Sequence, residues 1–191
     1  MTDTSGTELR ALRDQPFDLL RELERRSKVA LTGASGGDVD IDAEEWVGIG
    51  FRLADEQFIV SRDDIREVLM VPPLIARVPG AKPWIRGLAN VRGQLLPIID
   101  LKSFLGAGRF SGQRDARVLV IKSADLSAGL IVDEVFGFRR FLESERSDEV
   151  PQTLMGCDRF LQGVYERGLE NWLIFSVGRL ASSDEFQRAA A

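Results

Sequence analysis

The sequence predicts an all-β fold, a barrel or sandwich arranged as two small barrels sharing one core, with short helices and an N-terminal helical extension. Three observations carry that prediction. Short apolar runs recur at close spacing along residues 46–181, the mark of many short strands. Short glycine-containing connections join several of them, notably Arg92-Gly-Gln94 and Arg167-Gly168, where glycine supplies the positive φ that hairpins need. Between the runs there is no helical pattern long enough for a parallel βαβ crossover.

Residues 1–45 stand apart as an extension and linker. From Asp14 to about Leu31 the pattern turns helical, with Phe17, Leu19, Leu20 and Leu23 as the apolar stripe. Asp14 is placed to cap, Pro16 sits in the first turn, and Glu22 and Arg26 form an i,i+4 pair. Such a helix either packs on its own domain or serves as an arm for a partner, since a short isolated helix is marginal in water. The linker that follows contains Asp38-Val-Asp-Ile-Asp42. It does not make a calcium loop, because Ala43 stands where glycine is required and Ile49 where glutamate is required. Gly48-Ile-Gly50 and Gly106-Ala-Gly108 likewise lack the spacing and the lysine of phosphate loops.

The body begins at Trp46. Ile49, Phe51 and Leu53 alternate with Gly50 and Arg52 as a half-buried strand, and Asp55-Glu56 turns it into Gln57–Val60. Ile65, Val68 and Leu69 continue apolar up to the breaker Pro72-Pro73. Leu88–Val91 and Leu95–Leu101 form a hairpin whose second strand reads as buried on both faces, with Asn90 and Arg92 held out at the tip. Arg117–Lys122 and Ala128–Asp133 follow, then Val135–Phe138. Phe141 to Thr153 reads as a charged loop, and Phe160–Tyr165 with Asn171–Val177 as the last hairpin. Residues 182–191 read as a C-terminal tail.

Composition narrows the chemistry. With no histidine, the chain has no Ser-His-Asp or Cys-His relay, no imidazole base, no histidine-containing zinc site and no phosphoryl-accepting histidine. One cysteine, Cys157, excludes an intramolecular disulfide and a Cys-x-x-Cys pair, and it reads as a small apolar residue of the interior. No catalytic residue, metal ligand or cofactor is expected. A formal charge of −5 argues against nucleic acid as a partner. No apolar run reaches membrane-spanning length, and the N-terminus lacks signal-peptide character, so a cytoplasmic protein without direct membrane insertion is expected.

The ordered set Ile65-Arg-Glu67-Val68, Pro79, Trp84-Ile-Arg-Gly87, Asn90-Val-Arg-Gly93, Leu96-Pro-Ile-Ile-Asp-Leu101 and Gly129-Leu-Ile-Val-Asp-Glu-Val135 resembles the CheW family of chemosensory coupling proteins. The resemblance spans about Trp46 to Ala181. Phe17-Asp-Leu-Leu20, Gly48–Arg52, Val132–Gly137 and Trp172–Ser176 point within the family toward members in type IV pilus systems. It implies two intertwined five-stranded SH3-like barrels. It also implies a non-catalytic adaptor recruited to membrane-associated receptor arrays and controlling twitching motility. One surface would bind the cytoplasmic tip of a methyl-accepting receptor, and another the regulatory domain of a CheA-type histidine kinase. A flagellar chemotaxis adaptor and a small-ligand-binding barrel are the alternatives. By motif match, Arg92, Gly87, Ile65, Glu67 and Val68 fall to the receptor surface and Val118 to the kinase surface. On physical grounds alone, Arg92 also suits a structural turn, Ile65 and Val68 a core, and Gly87 a purely conformational role.

Overall fold

In the computed structural model, residues 45–123, 126–168 and 170–188 are described. The expected N-terminal helix and most of the linker lie outside them. Among the described residues, eleven strands build two sheets. The strands are β1 (Glu45–Leu53), β2 (Glu56–Ser61), β3 (Ile65–Met70), β4 (Ile85–Val91), β5 (Gln94–Asp100), β6 (Arg117–Ser123), β7 (Leu126–Val132), β8 (Glu134–Leu142), β9 (Arg146–Ser147), β10 (Leu161–Arg167) and β11 (Glu170–Phe175). Short helices α1 (Leu101–Phe104), α2 (Val177–Ala181) and α3 (Asp184–Gln187) complete the body.

The six-stranded sheet runs β8-β1-β2-β11-β10-β9 and the five-stranded sheet β3-β6-β7-β5-β4. The first takes strands from both ends of the body and encloses the second in sequence. That interlacing produces the two parallel pairs, β2 with β11 and β5 with β7, among otherwise antiparallel neighbours. Three apolar cores result. One lies between the sheets, with Phe51, Phe58, Leu119, Leu130 and Phe175 among its members. Val118, Val120, Ile98 and Ile131 fill the five-stranded barrel, and Phe141, Tyr165, Trp172 and Ile174 the six-stranded one.

Strand β1 shows how sequence sets this packing. Ile49, Phe51 and Leu53 face the central core, while Gly48 and Gly50 face the rings of Trp46 and Trp172. A Cβ on Gly48 would stand 2.4 Å from the Trp46 ring, and one on Gly50 2.7 Å from the Trp172 ring. The two glycines are there to make room for indoles.

Three expectations change. The stretch expected as a loop from Phe141 begins inside β8, because Phe141 pairs with Trp46 and stacks on Tyr165 at 4.5 Å; β9 then adds a short pairing to β10. The first turn is Ala54-Asp55, since Leu53 pairs with Glu56. The described part of the expected tail, residues 182–188, also belongs to the body: Phe186 on α3 is buried and stacks on Trp84, with centroids 5.7 Å apart.

Cys157 is fully buried, and burial pushes its thiol above the ordinary range, against an opposing hydrogen bond with Thr153. Since the thiolate is the reactive form, Ellman's reagent is expected to modify Cys157 only when denaturant unfolds the protein. Fast stoichiometric reaction of the native protein would contradict the burial.

Candidate functional site

The β4–β5 hairpin closes with Val91 paired to Gln94, leaving Arg92-Gly93 as a two-residue loop. Their φ values are 51° and 83°, the positive pair that a type I′ hairpin requires. Asn90 locks the tip by accepting the Gly93 N–H through Oδ1 at 2.9 Å. Arg92 is thus fixed in backbone and free in side chain, which is 79% exposed.

Its guanidinium lies 3.0 Å from Glu67 Oε2 on β3. Strands β3 and β4 are opposite ends of the five-stranded order, so this contact bridges the sheet where it curls toward closure. Arg66 reinforces the crossing, 3.5 Å from Glu67 and 3.5 Å from Gln94 Oε1. Glu67 is the enclosed partner, 16% exposed, and its Oε2 makes no hydrogen bond, so a partner that takes Arg92 must replace this contact.

Beside this pair lies a groove of about 430 Å³ between β3, the end of β6 and β8. Ile49, Ile65, Val68 and Phe138 give it an apolar lining, and Arg62 and Lys122 add positive charge. Ile65 is half-buried against the central core. Val68 faces out and is 39% exposed. In the turn that leads into β3, burial and then the neighbouring Asp63 raise the Asp64 carboxyl above the usual aspartate range. Among the described residues, no three carboxylate or thiol groups gather as a metal site.

The structure therefore brings Ile65, Glu67, Val68 and Arg92 together. Gly87 and Val118 are placed differently. Gly87 is buried at φ 140°, and a Cβ there would stand 2.1 Å from the Ala76 carbonyl oxygen. Its lack of a side chain lets residues 75–77 lie against β4, where Ala76 and Leu88 exchange two hydrogen bonds of 2.8 Å. Val118 is fully buried in the core of the five-stranded barrel. While that barrel is closed its side chain reaches no partner, so a surface contact through Val118 does not fit this geometry.

Two groove residues escape sequence reasoning. Phe138 is 64% exposed, although a phenylalanine in a strand-like run reads as core. Gly137 at φ 82° and the register shift opposite Gly50-Phe51 interrupt the alternation of β8. That lets Phe136 pack on Trp172 while Phe138 faces the groove. Met70, 74% exposed at the end of β3, extends the same apolar strip.

The described geometry agrees with what comparison with known proteins shows. The family model for the CheW-like domain matches residues 47–185. The chain belongs to the CheW-like family. It is 38% identical to protein PilI of Pseudomonas aeruginosa over 90% of this chain and 94% of that protein. Chemotaxis protein CheW of Helicobacter pylori is 29% identical over 86% of this chain and 97% of its own. The crystal structure of the scaffolding protein TtCheW from Thermoanaerobacter tengcongensis superposes with a TM-score of 0.64 at 26% identity, covering 74% of this chain and 96% of that one. The two interlaced sheets are thus the CheW scaffold fold. Among the described residues, no helix of this CheW-like chain is long and apolar enough to cross a membrane.

Proposed function

We propose that the chain is a non-catalytic cytoplasmic adaptor that couples methyl-accepting receptors to a CheA-type histidine kinase in an array controlling type IV pilus motility. The observation that carries this reading is the groove beside the Arg92–Glu67 pair. Exposed Val68 and Phe138 offer apolar area there, and an exposed guanidinium on a rigid tip stands ready to fix register. Those are the requirements of a helix laid in a groove. Similarity to PilI over nearly its whole length supports the pilus pathway over the flagellar one. Barrel interiors filled by side chains such as Val118, Ile98 and Tyr165 speak against the small-ligand alternative. The kinase surface has no residue assigned, since Val118 is interior.

The test is binding of purified full-length chain to a soluble receptor signalling fragment and, separately, to the kinase regulatory domain. Phe138→Ala is expected to cost about 2 kcal/mol of receptor binding, roughly thirtyfold in Kd, as an aromatic anchor does. Arg92→Gln, which removes the charge but keeps a hydrogen-bond donor for Glu67, is expected to weaken the same binding while the unfolding midpoint changes little and kinase binding is retained. Loss of stability in step with loss of binding would make Arg92 structural, and wild-type failure to bind either partner would end the adaptor reading.

A further inference from the structure

At the far end of β4 from the hairpin tip lies a second concavity, of about 560 Å³. Its walls are residues 71–83, the start of β4 and the loop after α1. Arg77, Lys82, Arg86 and Arg109 line it, and no Asp or Glu does. This concentration of positive charge occurs in a chain of net charge −5. Among the described residues none of the four is paired with a carboxylate. Like charges gathered in a concave site raise the local potential and draw counter-charge. The floor, by contrast, is apolar: Val71, Ile75 and Phe110 are half-buried and pack on the core of the five-stranded barrel.

The walls are preformed. Ala76 and Leu88 clamp one side to β4 through their paired hydrogen bonds. On the other, the buried Asp100 carboxylate caps α1 at the Ser103 N–H and accepts the Phe110 N–H at 2.8 Å, fixing the loop that carries Arg109. We propose that this groove docks an acidic peptide segment of a partner protein, one in which Asp or Glu residues flank an apolar side chain. Carboxylates suit the guanidinium rim, where bidentate pairing gives geometry as well as attraction. The apolar floor would take the flanked side chain and gains nothing from a bare phosphate. A lipid surface is broad and flat, whereas these cations line a hollow. The site is separate from the Arg92 groove and does not rest on the receptor reading.

The experiment is fluorescence anisotropy on the full chain with a dye-labelled peptide of Glu alternating with Leu and Phe, beside the same peptide with Gln for Glu. Phosphatidylglycerol vesicles form a third arm. The Glu peptide is expected to bind, to weaken as salt rises, and to lose at least about tenfold in affinity in the double variant Arg77→Glu/Arg86→Glu. It is expected to be indifferent to Arg114→Glu. Neutralisation by Arg77→Gln/Arg86→Gln provides the same readout if the reversal perturbs folding. Equal binding of the Gln peptide, or affinity untouched by both double variants, overturns the proposal. So does vesicle binding that needs Arg77 and Arg86 while the peptide does not bind, which would give the groove to a membrane. Self-association that both double variants abolish, again without peptide binding, would give it to a second copy.

Discussion

Gly87→Ala is expected to destabilise the protein by about 3–5 kcal/mol. Two costs add. An L residue held in the positive-φ region that Gly87 occupies is strained by about 1–3 kcal/mol. The new Cβ would also stand 2.1 Å from the Ala76 carbonyl oxygen, so residues 75–77 must leave β4. That movement breaks both hydrogen bonds between Ala76 and Leu88, each worth about 1 kcal/mol net. Guanidinium chloride unfolding with the receptor and kinase assays alongside is the measurement. A Gly87→Ala protein of wild-type stability that had lost only receptor binding would instead make Gly87 a contact surface. Gly93 is the internal comparison. It also has positive φ, but nothing lies within 4 Å of its added Cβ, so its alanine variant carries the strain without the clash.

That contrast shows what the sequence could and could not reveal. The β4–β5 hairpin was legible because its information is local: an apolar run, a glycine at the tip, and polar residues where the chain reverses. The clustering of Ile65, Glu67, Val68 and Arg92 was legible only through the family resemblance, since their meeting depends on β3 and β4 closing one barrel across intervening strands. Val118, which the motif match gives to the kinase surface, is buried in the structure, and the sequence alone does not show this. In a strand buried on both faces, every position is apolar, and motif position does not distinguish the inner side chain from a surface one. Phe138 failed in the opposite direction, because a bulge at Gly137 breaks the alternation by which strand faces are read. Phe186 was hidden by the polar, alanine-rich company it keeps, although one aromatic stacked on Trp84 anchors the last helix. The four cations of the basic groove span residues 77–109 and converge because the Ala76–Leu88 clamp folds one segment over β4 and Asp100 holds the loop that carries Arg109.

Lys102→Met is expected to destabilise the protein by about 3 kcal/mol, and adding Asp133→Asn to it is expected to restore part of that loss. The Asp133 carboxylate sits at the end of β7, buried, with Oδ2 taking the Lys102 ammonium at 2.9 Å and the Ala54 N–H at 2.7 Å. It thereby ties α1, which follows the five-stranded barrel's β5, to the β1–β2 turn of the other sheet. Ala54 holds that turn at φ 52°. The two ions are not equivalent. Lys102 is the more exposed partner and has a long stem that can carry its charge to water if Asp133 is lost. Asp133 is short and enclosed, so removing the lysine leaves a buried charge with one amide donor. Asparagine removes that charge and keeps an oxygen for the Ala54 N–H, which is why the second substitution should stabilise in the background of the first. In the wild-type background Asp133→Asn gives up the ion pair and should destabilise. The sign of its effect therefore reverses with the residue at 102, a coupling that a double-mutant cycle of unfolding free energies reads directly. Additive effects would mean that Lys102 and Asp133 do not act as a pair.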